Sequence, residues 1–249
     1  NYSPALYAKA KLLEKDDKEE EAVQIYNQIF SQNKYYLAAF ELASRLVKGE
    51  KNYDLALKIL DDTNSDEVLI LGYKGFIYEN LKDFTKAEEF YQKAANKNDI
   101  DSMNYLGRLY ETQKEIKKAR NIYNKAYLLG SISAGYKLAY ILEDMEKGKN
   151  PAKAEETEVK QSKEAKKILE RLANSGDDYS MVDLSLYYPE TDKMVRLLNL
   201  KAAAKLNTTA FYNLGVYYYN KKNKDKAKFY FRVAKENGYD IGEIFDAYI

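Results

Sequence analysis

One stretch of this chain is written twice. The first copy, YKGFIYENLKDFTKAEEFYQKAA, runs from Tyr73 to Ala95, and the second, YLGRLYETQKEIKKARNIYNKAY, from Tyr105 to Tyr127. Gly75 and Gly107 stand 32 residues apart, as do Ala87 and Ala119, Tyr91 and Tyr123, and Ala94 and Ala126. A fixed period of this size marks a stacked array. Each unit is one supersecondary element that buries its apolar face only against its neighbours.

Extended both ways, the period predicts seven helix pairs. A small residue marks the middle of each first helix: Ala10, Ala43, Gly75, Gly107, Ala139, Ser185 and Gly215. A second marker falls in each second helix: Ala22, Ala56, Ala87, Ala119, Ala165, Leu197 and Ala227. The offset between markers is 12 in five pairs, 13 in the second and 26 in the fifth, which therefore carries an insertion. Small residues at such positions let two helices approach closely where they cross, with large apolar residues three and four places away filling the flanks. Lys82-Asp83 and Asn223-Lys224-Asp225 read as turns between the helices of a pair. The expected fold is all-α: a right-handed α-solenoid of about seven antiparallel helix pairs plus a C-terminal capping helix. A single array over 1–249 is expected, with units near 3–33, 34–64, 65–98, 99–131, 132–177, 178–207 and 208–239. The charged insertion 144–161 reads as a surface loop or helix extension, with a docking appendage as its functional alternative. The sixth pair is expected as Tyr179–Tyr188, stopped by Pro189, with Lys193–Leu206. The capping helix is expected over 240–249, covering the last apolar face.

Composition narrows the chemistry. Forty basic and 39 acidic residues leave a net charge of +1, so no whole-molecule attraction to nucleic acid or anionic membrane is indicated. No apolar run approaches the roughly 20 residues of a membrane helix. There is no Cys or His, which removes disulfides, thiolate metal sites and the usual general base. No Gly-rich phosphate loop, nucleophile elbow or paired metal-ligand spacing is present, so no catalytic residue, metal or cofactor is expected. The 25 tyrosines are read mostly as the aromatic positions the repeat requires. Nothing in the composition assigns a compartment.

The repeated residues carry a family likeness. Met103, Leu106, Gly107, Tyr110, Ala119, Tyr123 and Ala126, and again Phe211, Leu214, Gly215, Tyr218, Ala227, Phe231 and Ala234, resemble the tetratricopeptide repeat. In the third pair Leu71, Gly75, Tyr78, Ala87, Tyr91 and Ala94 fit, with Lys74 where Leu is expected. The junctions from Ala94-Ala95 to Leu106-Gly107 and from Ala203-Ala204 to Leu214-Gly215 look like the Sel-one-like repeat, a sister with the same helix hairpin. Spacings of 32, 30 and 46 residues depart from the usual period of about 34. The resemblance implies an interaction scaffold or assembly adaptor, not a catalyst.

In such a fold the first helices line the concave face. Positions three before, one after and four or five after the small residue give the expected partner-binding residues. They are Phe76, Asn104, Arg108, Glu111, Tyr136, Tyr140, Glu143, Tyr212 and Tyr219, with Phe40 and Glu79 beside them. Arg108 and Asn104 with Tyr136 and Tyr140 combine planar donors and rigid aromatics, which suits peptide recognition. The Lys and Asn pair by which chaperone-tail binders of the family hold a carboxylate is not found at the matching positions. The leading expectation is a protein or peptide partner. An RNA-binding helical array is the first alternative, and self-association through the open ends of the array is another.

Overall fold

The computed structural model describes residues 2–148 and 162–246, and every element among them is helical, with no strand. The helices are α1 (Ser3–Lys15), α2 (Glu19–Asn33), α3 (Tyr36–Arg45), α4 (Tyr53–Asp61), α5 (Val68–Asn80), α6 (Phe84–Ala95), α7 (Ile100–Thr112) and α8 (Ile116–Leu128). They continue with α9 (Ile132–Gly148), α10 (Lys163–Asn174), α11 (Asp178–Ser185), α12 (Lys193–Ala203), α13 (Thr208–Asn220), α14 (Lys224–Glu236) and α15 (Glu243–Asp246). They group into two compact units, Asn1–Leu129 and Gly130–Ile249. Within each, consecutive helices pack as antiparallel pairs and neighbouring pairs stack.

The turns explain why these residues form pairs. Lys82, Lys114 and Lys222 leave the first helix in the left-handed region, at φ 64°, 62° and 60°. The next backbone N–H, of Asp83, Glu115 and Asn223, then donates back to the carbonyl of Tyr78, Tyr110 and Tyr218 at 3.0, 2.8 and 2.9 Å. These bonds satisfy carbonyls that the helix end leaves bare. Asp83 and Asn223 at once cap the returning helix, accepting from the N–H of Lys86 and Lys226.

In the third, fourth and seventh pairs the core is a ring seated on a missing side chain. A Cβ on Gly75 would lie 2.6 Å from the Tyr91 ring, one on Gly107 2.4 Å from Tyr123, and one on Gly215 2.5 Å from Phe231. All three rings are buried. In the first pair Ala10 and Tyr26, also 16 residues apart, share one buried cluster. The small markers thus make room chiefly for an aromatic ring from the second helix.

The second, fifth and sixth pairs depart from this plan, with buried Leu60 and Leu169 at the ring position of the second and fifth. In the second, the 13-residue offset is absorbed by a π-helical turn, Leu46–Glu50, where the bonding ring is widened by one residue. In the sixth, the first helix ends at Ser185, short of the expected Tyr188, because the backbone before Pro189 is held out of the helical region. The second marker moves with it. Leu197 is 43% exposed, and Val195, Asn199 and Ala202 face inward instead. Fully buried Asn199 donates to the Ser185 hydroxyl and the Val195 carbonyl and accepts from Asn213. A polar chain across α11, α12 and α13 therefore replaces the ring.

The fifth pair begins with a longer helix than expected, since α9 runs on to Gly148. Residues 144–148 of the charged insertion extend it, and 149–161 lie outside the described residues. At the C-terminus Phe245 stacks on Phe231 at 4.3 Å and meets Tyr219 and Tyr212 edge-on, covering the seventh pair. Residues 247–249 of the expected cap lie outside the described residues.

The link from α12 to α13 carries one conformational cost. Leu206 sits at φ 64° and is 74% exposed, where other links have Gly130, Gly176 or Gly238. A branched residue held left-handed costs about 1–2 kcal/mol, more than the extra chain entropy of glycine. Leu206→Gly is expected to stabilise the protein by roughly 0.5–1 kcal/mol, read as a raised urea midpoint with unchanged slope.

Candidate protein-docking site

The residues expected at the groove divide between the units. Phe76, Asn104, Arg108 and Glu111 belong to the first, and Tyr136, Tyr140, Glu143, Tyr212 and Tyr219 to the second. Many of them are already engaged within the chain. The Tyr91 and Tyr123 hydroxyls, at the edges of the buried rings, donate to Glu79 at 2.9 Å and Glu111 at 2.6 Å. Glutamate four places after the glycine therefore secures the ring that the glycine admits. Arg108 pairs with Glu79 at 2.9 Å, joining the third repeat to the fourth, although its side chain stays 54% exposed. Asn104 is half-buried on α7.

In the second unit Tyr136 donates to Asp183 on α11. Burial raises the Asp183 carboxyl above its usual range, while the Tyr136 bond opposes that rise. Glu143 accepts from the N–H of Ser162, at the start of α10, and from the Tyr187 hydroxyl. Tyr212 stacks on Tyr239 at 4.9 Å, and Tyr219 meets Phe245. Tyr140 is 65% exposed.

At the start of the first unit the same face is filled by charge. Lys11, Glu14, Glu41 and Arg45 form a continuous ion network, and the Tyr7 hydroxyl donates to Glu41. Burial first, then Glu41, pushes that hydroxyl up to about 12.

Beyond this network the first helices part around a cavity of about 570 Å³. Phe40 on α3, Val47 in the π-turn, Tyr53 at the start of α4, and Val68, Leu69, Tyr73 and Phe76 on α5 line it, with Tyr105 on α7. Its aromatic wall is ordered. Tyr73 meets Phe40 edge-on at 5.0 Å and stacks on Phe76 at 5.6 Å. Burial raises the Tyr73 hydroxyl, and a bond with Ser44 partly offsets this. Tyr105 is stacked on the buried ring of Tyr91.

Two local features open the space. Gly72 provides no side chain where the neighbouring repeats carry Phe40 and Asn104, and a Cβ there would lie 2.8 Å from the Ser102 hydroxyl. The π-turn reshapes the end of α3 beside it. Phe76 and Phe40, both at expected groove positions, line the cavity. Sequence reasoning passed over Leu69, Tyr73 and Tyr105, and the 13-residue offset in the second pair was the signal that marked the place.

Several features bear on chemistry. Among the described residues no group of three or more His, Cys, Asp or Glu side chains is placed to hold a metal ion. No helix there is long and apolar enough to cross a membrane.

The Tetratricopeptide repeat family profile matches residues 73–96, 100–129 and 208–236. Those three stretches are similar to the Tetratricopeptide repeat, and the all-helical fold of paired helices agrees with it. The fold is shared with a Sel1 repeat protein from Oxalobacter formigenes, at 23% identity over 80% of this chain and 84% of that one, with a TM-score of 0.57. It is shared equally with pilF of Pseudomonas aeruginosa, at 16% identity over 84% of this chain and 96% of that one, with a TM-score of 0.57. No curated protein matches the chain. Repeats of this type generally mediate protein–protein interactions, and families built on them are typically non-enzymatic.

The tyrosine–glutamate pairs have a measurable signature. Burial, then the adjoining carboxylate, holds the Tyr91 and Tyr123 hydroxyls well above the ordinary value of 10.0. The neutral phenol therefore favours the folded chain. That contribution is complete below about pH 10, where an unfolded tyrosine ionises, and is lost as pH rises toward the folded values. Alkaline unfolding of the wild type is expected to steepen above about pH 10. Tyr91→Phe with Tyr123→Phe should flatten that decline and lower stability at neutral pH by about 1 kcal/mol per bond. Urea unfolding across alkaline pH checks both.

Proposed function

We propose that this chain is a non-enzymatic scaffold that docks a protein or peptide partner on its first-helix face, with the cavity between α3, α5 and α7 as the principal contact. The cavity itself is the observation that carries the reading. Its volume of about 570 Å³ falls within the roughly 300–1,000 Å³ of ordinary ligand sites. Its aromatic walls match the rigid, apolar surfaces on which interface energy concentrates. Seating one large apolar side chain there would contribute about 1.5–3 kcal/mol, enough to anchor an extended peptide whose backbone lies along the helices. Arg108, exposed on the same unit as the cavity, is proposed as a secondary contact, and Tyr140, exposed on the second unit, as a contact of that unit by itself. The interaction role of the repeat family supports a protein ligand over a small metabolite.

A peptide array carrying hydrophobic anchors in varied contexts tests this reading. Peptides that bind the wild type are expected to lose about ten-fold or more in affinity with Phe76→Ala, since removing an aromatic from such a contact costs over 1 kcal/mol. The half-buried position of Phe76 leaves the fold intact, which circular dichroism checks. Full binding by both Phe76→Ala and Tyr73→Ala would contradict the reading.

A further inference from the structure

Resting on that reading, we infer that the cavity selects a two-ended peptide: an apolar anchor with acidic residues on one side and basic residues on the other. The cavity's lining is apolar along its length and charged at its corners. Lys48 and Lys51 stand at one corner, at the C-terminal end of α3, and Asp99 and Asp101 at the other, where α7 begins. Among the described residues no ion pair engages Lys48, Lys51 or Asp101. Asp99 accepts the N–H of Ser102 as a helix cap, keeping one oxygen for other donors. Lys48, Lys51 and Asp101 are exposed. Elsewhere on this face the charges are already paired, as in the Lys11, Glu14, Glu41 and Arg45 network and in Arg108 with Glu79.

The two corners lie on a diagonal. Successive first helices run in the same direction, because each is followed by a returning second helix. The end of α3 and the start of α7 are therefore at opposite ends of α5, on opposite sides of it. The 13 residues of α5 rise by about 1.5 Å each, and packed helices lie roughly 8–10 Å apart. Together these give a diagonal on the order of 25 Å, which an extended chain at about 3.3 Å per residue covers with seven or eight residues. A peptide of that length reaches from the lysines to the aspartates with its anchor over Tyr73 and Phe76.

The test uses four fluorescent eight-residue peptides and the full chain. One has two glutamates at one end, two lysines at the other and a central tryptophan. Two more keep the tryptophan with glutamates only or lysines only, and the fourth replaces tryptophan by alanine. The two-ended peptide is expected to bind roughly ten-fold tighter than either single-sign peptide at low salt. This preference should vanish near 1 M salt, where the screening length is about 3 Å. Lys48→Glu with Lys51→Glu, confirmed folded by circular dichroism, should transfer the preference to the all-lysine peptide. Equal affinity of the three tryptophan peptides would overturn the charge inference while leaving the apolar docking reading in place. Failure of every tryptophan peptide to bind better than the alanine control would overturn both.

Discussion

The structure depends on one steric exchange: a residue with little or no side chain in the first helix, and a large ring from the second helix in the space left. Gly75 with Tyr91, Gly107 with Tyr123 and Gly215 with Phe231 repeat it with ring atoms 2.4–2.6 Å from where a Cβ would stand. Glycine within a helix costs roughly 0.5–1 kcal/mol of backbone entropy. Burying an aromatic ring, which removes 150–250 Å² from water, outweighs that cost. The same exchange fixes the axial register of each pair, since the ring fits over one position only. Glutamate one turn further along then captures the tyrosine hydroxyl, so the ring is held at its face and its tip. Where the ring is Phe231, which has no hydroxyl, the corresponding position is Tyr219 and the partner is the ring of Phe245.

Departures from the exchange are where the molecule acquires individuality. The sixth pair replaces the ring by Asn199 and a chain of buried hydrogen bonds from Ser185 to Asn213. Such a network favours one arrangement because any slip strands a buried polar atom. In the third pair, Lys74 occupies the place of an expected Leu and reaches Asp61 at 2.6 Å from an almost fully buried position. The second pair inserts a residue as a π-turn, and beside that turn lies the apolar cavity. Regular repeats close their own interfaces, so the irregular one has surface left for another molecule.

Much of this was legible in the sequence. The 32-residue period located the helices of the third and fourth pairs. The small residues named the sites of closest approach, and Asp83 and Asn223 marked turns that they also cap. The sixth pair was less legible, because the spacing rule assigned Leu197 inward while Pro189 shortened the preceding helix and moved the register to Val195 and Asn199. The site was only partly legible. Counting positions on an ideal first helix identified Phe76 and Phe40 but could not show that Glu79 and Glu111 would be occupied by tyrosine hydroxyls, or that Tyr212 would be stacked by Tyr239. Those outcomes depend on which neighbour reaches a side chain first, which periodicity alone does not encode.

The account's central claim is that ring and glycine are one unit, each needed for the other. A double-mutant cycle on Gly107 and Tyr123 measures this directly. Gly107→Ala alone is expected to destabilise by roughly 1–3 kcal/mol through overpacking, despite the better helix propensity of alanine. In a Tyr123→Leu background, where the ring is gone, the same substitution should cost little or become favourable, giving a coupling above about 1 kcal/mol. Strict additivity of the two substitutions would contradict the claim.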